Sequence, residues 1–114
     1  MRQRELNDII SACKTNNPIA QERLYKHYFA LMYSISKKYS DNQQTIISLI
    51  NEGFLKIFMN IQTFDFAKGN FETWAKKIIT NTAIDHVRSQ KNKQQFMELD
   101  DRQQQDKALQ QQPR

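Results

Sequence analysis

One apolar stripe limits this chain more than any other feature: Ile46, Leu49, Ile50, Gly53, Phe54, Ile57, Phe58 and Ile61. The spacing alternates between three and four residues, which gathers these side chains on one side of a helix and excludes a strand. Ser48, Asn51, Glu52 and Lys56 fall on the polar side. Upstream, Leu24, Tyr28, Leu31, Met32, Ile35 and Tyr39 repeat the same period behind Asn17-Pro18, an N-cap followed by proline at the first helical position. A shorter stripe, Leu6, Ile9, Ile10 and Cys13, lies within Glu5–Lys14 and runs out at Thr15-Asn16-Asn17. A last one begins at Phe71 and takes in Trp74, Ala75, Ile78, Ile79 and Thr82, with Phe71 and Trp74 read as core. Between the last two lies Thr63–Asn70, a loop in which Gly69 is expected to supply backbone freedom and Asn70 the cap.

With only two glycines and two prolines in 114 residues, the chain lacks the tight turns of a β-sandwich or barrel. At 39% hydrophobic residues it can build one modest core. The fold class is therefore all-α: a compact bundle of about four helices, placed at residues 1–93. After Asn92 glutamine and charge take over, and Phe96, Met97, Leu99, Ala108 and Leu109 form no stripe wide enough to fold on a core. Residues 94–114 are read as a frayed or disordered polar tail, or the start of an inter-domain linker, with prolongation of the last helix left open as the alternative.

Catalytic chemistry finds little to work with. A single cysteine excludes an internal disulfide and leaves too few sulfur ligands for a thiolate zinc site, so Cys13 reads as a buried structural thiol. His27 and His86 lie far apart, outside any H-E-x-x-H spacing, and no glycine-rich phosphate cradle is present. No enzyme activity, metal or cofactor is expected. The first residues form no apolar signal region and no run approaches a membrane span, which points to a soluble, cytoplasmic protein.

The net charge of +5 is unevenly placed. Lys76, Lys77, Arg88, Lys91 and Lys93 crowd one segment against Asp85 alone, whereas the balance reverses after Phe96. Such a block suits a polyanion, although charge by itself describes a solvated helix face equally well. Phe64 and Phe66 stand just before this basic helix. Exposed rings stack on unpaired bases while cations follow the phosphates, and the Asn81 amide can both donate to and accept from a base edge. Taken singly, the two phenylalanines could plug helix ends and Asn81 could be a plain surface residue.

Together the residues form a specific pattern. Phe54-Leu-Lys-Ile-Phe58, then Phe64-Asp-Phe-Ala-Lys-Gly-Asn-Phe-Glu-Thr-Trp-Ala75, then Ile78-Ile-Thr-Asn-Thr-Ala-Ile-Asp-His-Val-Arg88 resemble region 2 of bacterial sigma factors. The extracytoplasmic-function (ECF) group is the most similar, and Ala20–Tyr39 looks like its first conserved helix. The resemblance implies a helical domain that binds the β′ clamp helices of core RNA polymerase. It further implies opening of the promoter −10 element and capture of a flipped non-template base. Carried over by position, Ser48, Asn51, Glu52, Phe54 and Lys56 match the polymerase-binding helix. Phe64 and the loop to Asn70, with Phe66 and Lys68, match the base-capturing loop. Ile78 and Asn81 match the wall of its pocket, and Lys76, Lys77, Arg88 and Lys91 match positions that contact the DNA backbone.

The sequence departs from that family in two places. Where the polymerase-binding helix usually reads D-L-V-Q-E-x-F, this chain has Ser48-Leu-Ile-Asn-Glu-Gly-Phe54, losing one charge and one carbon of reach. The family's second helical domain, region 4, has no counterpart, so the chain is read as lacking it, as a fragment or as a region-2-only protein. Two functions follow as expectations. One is a transcription-initiation module that binds core polymerase and melts the −10 element. The other is an interaction module, a decoy or assembly part, that binds polymerase or an anti-sigma protein without reading DNA. A monomer is expected when free, with an anti-sigma protein as a further partner and no membrane contact.

Overall fold

The structure is a computed structural model that describes the backbone of residues 1–110 and the side chains of residues 1–100. Its order is α1 (Gln3–Cys13), α2 (Pro18–Ser36), α3 (Gln43–Asn60), a single 3-10 turn (Ile61–Thr63) and α4 (Phe71–Gln110). The all-α expectation is met, and among the described residues there are no strands. Three helices start on an asparagine: Asn17 accepts from the amides of Ile19 and Ala20, Asn42 from Thr45, and Asn70 from Glu72 and Thr73. Each cap satisfies backbone N–H groups that have no partner within the helix.

The turn between α1 and α2 is closed by Asn16 at φ 60°, the left-handed conformation that asparagine tolerates better than most residues. Gly69 does not take a positive φ, so the freedom expected of it is not used by the backbone. A Cβ at that position would also meet nothing within 4 Å.

Two groups of residues are compact in themselves: residues 1–84, and α4 from Asp85 onward. The first holds the core, where Ile10, Leu24, Met32, Leu49, Ile50, Ile57, Ile61 and Ile79 are almost wholly buried. Gly53 lets α3 and α4 approach closely, because a Cβ there would lie 2.5 Å from Cδ1 of the buried Ile79. Cys13 is buried as read, and its burial pushes the thiol pKa up to about 11. Trp74, read as core with Phe71, packs against the core but is only half-buried where Phe71 is buried.

The last helix also differs from the tail read at residues 94–114. It continues to Gln110, because no glycine follows Gly69 and the segment is rich in Gln, Lys, Glu and Asp, none of which breaks a helix. Phe96, Met97 and Leu99 are exposed on it. The expectations for the side chains of residues 101–110, and for residues 111–114 altogether, lie outside the described residues. No helix among the described residues is long and apolar enough to cross a membrane.

Ser36, the last residue of α2, is buried with a hydroxyl that has no hydrogen-bond partner. An unsatisfied buried polar group costs about 1–3 kcal/mol. Ser36→Ala is therefore expected to stabilise the fold by about 1 kcal/mol. A urea titration reads this as a higher midpoint at unchanged slope.

Candidate functional site

The loop Thr63–Asn70 and the first two turns of α4 enclose a hollow of about 310 Å³. Phe64 and Trp74 supply its aromatic surface, 5.4 Å apart between ring centroids. Lys68, Lys77, Asp65 and Asn70 supply its polar groups, with Thr63, Gly69 and Thr73 completing the wall. Phe64 is only 5% exposed, its ring edge-on to Phe71 and to Phe66. It forms the floor of the hollow, while Phe66 is 41% exposed and stands outside it.

The loop is held by its own hydrogen bonds. The Phe64 amide donates to the Ile61 carbonyl, and the Thr63 hydroxyl donates to the Asn60 carbonyl. The Asp65 carboxylate accepts from the Ala67 amide in an Asx turn. At the far end Asn70 caps α4, placing Trp74 and Lys77 toward the loop one and two turns on.

Of the residues that the resemblance assigns to DNA, the hollow gathers Phe64, Lys68, Asn70 and Lys77. Phe66, Lys76, Ile78 and Asn81 do not line it. Asn81 is exposed one turn beyond Lys77, Ile78 is half-buried, and Lys76 pairs with Glu72 at 3.6 Å. Arg88 and Lys91 are exposed on the second unit. Trp74, read from sequence as core, is the residue that reasoning missed here. Its position four residues after the Asn70 cap, on the turn that faces the loop, was the available signal.

The residues assigned to polymerase divide as well. Ser48, Asn51 and Glu52 are exposed on α3, and the Tyr25 hydroxyl donates to the Asn51 side-chain oxygen at 2.9 Å. Phe54 is buried against Tyr25 and Phe58. Lys56 is half-buried, donating to the Thr82 hydroxyl at 3.2 Å and pairing with Glu52 at 3.7 Å. Both therefore have roles inside the domain. The same helix exposes two apolar residues that the sequence reading left out, Leu55 at 59% and Met59 at 72%. They fall off the buried stripe, three and seven residues after Glu52, and that mismatch was legible in the sequence.

Sigma-70 region 2 matches residues 24–93, more than half of the chain. The chain belongs to that family. Among its relatives, the RNA polymerase sigma factor SigA of Clostridium acetobutylicum is 30% identical over 87 residues, covering 72% of this chain and 23% of SigA. The ECF RNA polymerase sigma factor SigE of Mycolicibacterium smegmatis is 30% identical over 67 residues, covering 59% of this chain and 25% of that protein. This region 2 chain thus spans about a quarter of the length of the curated relatives it matches. Its fold is similar to an engineered region 2 of sigmaE, solved by NMR in complex with GTAAAA. The TM-score is 0.72 and the identity 20%, over 82% of this chain and 97% of that one.

Proposed function

We propose that this region 2 chain is a transcription-initiation module that binds core RNA polymerase and captures single-stranded non-template DNA of the promoter −10 element. The observation that carries the reading is the hollow between the loop and α4: an aromatic floor and side from Phe64 and Trp74, with Lys68 and Lys77 beside it. An unpaired base gains stacking and loses water there, while the two ammonium groups meet the flanking phosphates. The Asp65 carboxylate has an oxygen left to accept from base N–H groups, and Asn70, whose side-chain oxygen caps α4, offers its amide N–H groups as donors. Taking a base out of a duplex costs a few kcal/mol, a sum that stacking and a fitted pocket can return. The engineered sigmaE region 2 was solved in complex with GTAAAA, which supports a ligand of this class. In the same reading the exposed face of α3, with Ser48, Asn51, Glu52, Leu55 and Met59, meets the β′ clamp helices. Arg88 and Lys91 add backbone contacts, the helical domain of residues 1–93 carries both surfaces, and the protein works in the cytoplasm without catalytic activity of its own.

Fluorescence anisotropy with labelled GTAAAA tests the DNA half of this reading. Contact with about four phosphates predicts a log–log salt slope near −3. The double substitution Lys68→Gln with Lys77→Gln removes about 1.4 from that slope and weakens binding most at low salt. An unchanged slope in the double variant would place the strand elsewhere.

A second reading, an interaction module without DNA readout, is favoured by one observation: Asn81 does not share the hollow with Phe64. It predicts polymerase or anti-sigma binding by the chain with no measurable affinity for GTAAAA.

A further inference from the structure

The loop wall of the hollow is held from outside by a residue the family match does not reach. Lys14 ends α1, ten positions before the matched segment begins. Its ammonium donates to the Phe64 carbonyl at 2.6 Å across 50 residues of sequence. The same nitrogen lies 5.2 Å from the ring centroid of Phe66 and 5.9 Å from that of Phe64. In return, the Gln62 side-chain amide donates to the Lys14 carbonyl at 3.1 Å. One half-buried lysine therefore touches the loop at its backbone and at both aromatic rings, while the loop holds that lysine by its own carbonyl.

The chemistry of this contact is specific to a long cation. A carbonyl at the head of a loop needs a donor, and among the described residues no backbone N–H donates to that of Phe64. The ammonium supplies it, and its remaining charge lies close to the negative faces of two rings. Held in this way, Phe64 keeps its ring on the floor of the hollow beside Trp74, and Phe66 is kept edge-on to it. Lys14 does not line the hollow, so its influence on a bound strand passes through these rings.

We propose that Lys14 is a positioning residue for single-strand binding, fixing Phe64 on the floor of the hollow, with Phe66 braced against it, from the end of α1. The inference rests on the reading of the hollow given under Proposed function. Trp74, the chain's single tryptophan, reports on the geometry without any ligand, because its ring lies 5.4 Å from that of Phe64.

The test uses the full chain, Lys14→Met, Lys14→Arg and labelled GTAAAA. In Lys14→Met the Trp74 emission of the free protein is expected to shift. Its Kd should rise about tenfold at low salt, with the log–log salt slope unchanged. Lys14→Arg restores a donor and a cation and should bind within about twofold of the parent. Unchanged emission and affinity in Lys14→Met would overturn the proposal. So would a salt slope reduced by about 0.7, the mark of a lysine that itself contacts one phosphate. If Lys14→Met fails to fold by circular dichroism, Gln62→Ala takes its place. That change cuts the return hydrogen bond from an exposed side chain and should shift the emission in the same direction, with a two- to threefold rise in Kd; no change in either would overturn the proposal. Failure of the parent to bind GTAAAA would instead bring down the DNA reading itself. The emission of the free variants would still show whether Lys14 holds the wall.

Discussion

Phe64→Ala is expected to lower the stability of the folded chain by about 3–5 kcal/mol, the range for removing a buried aromatic ring. Phe64 packs on Phe66, Phe71 and Trp74 with centroids 5.1–5.4 Å away, and it lies under the Lys14 ammonium. Truncation leaves a cavity beneath the hollow and removes the ring that joins the loop to α4. A loss of this size is a large share of the stability of so small a domain. Urea denaturation followed by Trp74 fluorescence measures it directly. A loss below about 1 kcal/mol would mean that Phe64 is not the floor described here. The result also decides which variants can probe binding. Phe64→Ala mixes unfolding with lost affinity, whereas the double substitution of Lys68 and Lys77 changes exposed side chains alone.

The second large effect concerns α3. Leu55→Asp with Met59→Asp is expected to weaken binding to core polymerase by about 2–4 kcal/mol, thirtyfold or more, while costing the fold only about 1–2 kcal/mol. Both side chains are exposed, so aspartate costs the fold helix propensity and an unfavourable charge near the C-terminus of α3 but no packing; at an interface each would bury a charge against an apolar partner. Two large apolar residues on the helix that also presents Ser48, Asn51 and Glu52 form the kind of centre around which interfaces are built. Surface plasmon resonance on immobilised core polymerase reads the effect. Equal affinity of the variant and the parent would move the polymerase surface off this face.

Much of the fold was legible in the sequence because its period is unambiguous. The stripe from Ile46 to Ile57 is buried on α3 as read, with Phe58 half-buried and Ile61 carried into the 3-10 turn. The caps at Asn17 and Asn70 follow from residue chemistry, whereas Asn42 was read only as part of a polar break. The reading went astray where local rules have no way to see tertiary packing. Phe54 was read both on the apolar stripe and at a polymerase-binding position, and it is buried; Lys56, read on the polar side, is half-buried through its hydrogen bond to Thr82. The tail was read as frayed because it lacks an apolar face, although a helix without one can still form when nothing in it breaks the turn. The left-handed residue proved to be Asn16, since the tight turn falls between α1 and α2 and not in the loop that holds Gly69. The candidate site was legible in half. Its loop aromatics and lysines stand in one sequence run, whereas the hold of Lys14 on Phe64 spans 50 residues and no local pattern announces it.

The most direct test of the central claim combines the chain with core RNA polymerase on duplex promoters carrying varied −10 elements. Single-stranded thymines are then mapped by permanganate. The account predicts that the chain binds core polymerase and opens a subset of the −10 elements, and that Lys68→Gln with Lys77→Gln reduces opening more than core binding. Core binding with no opening on any promoter would contradict it and leave an interaction module in its place.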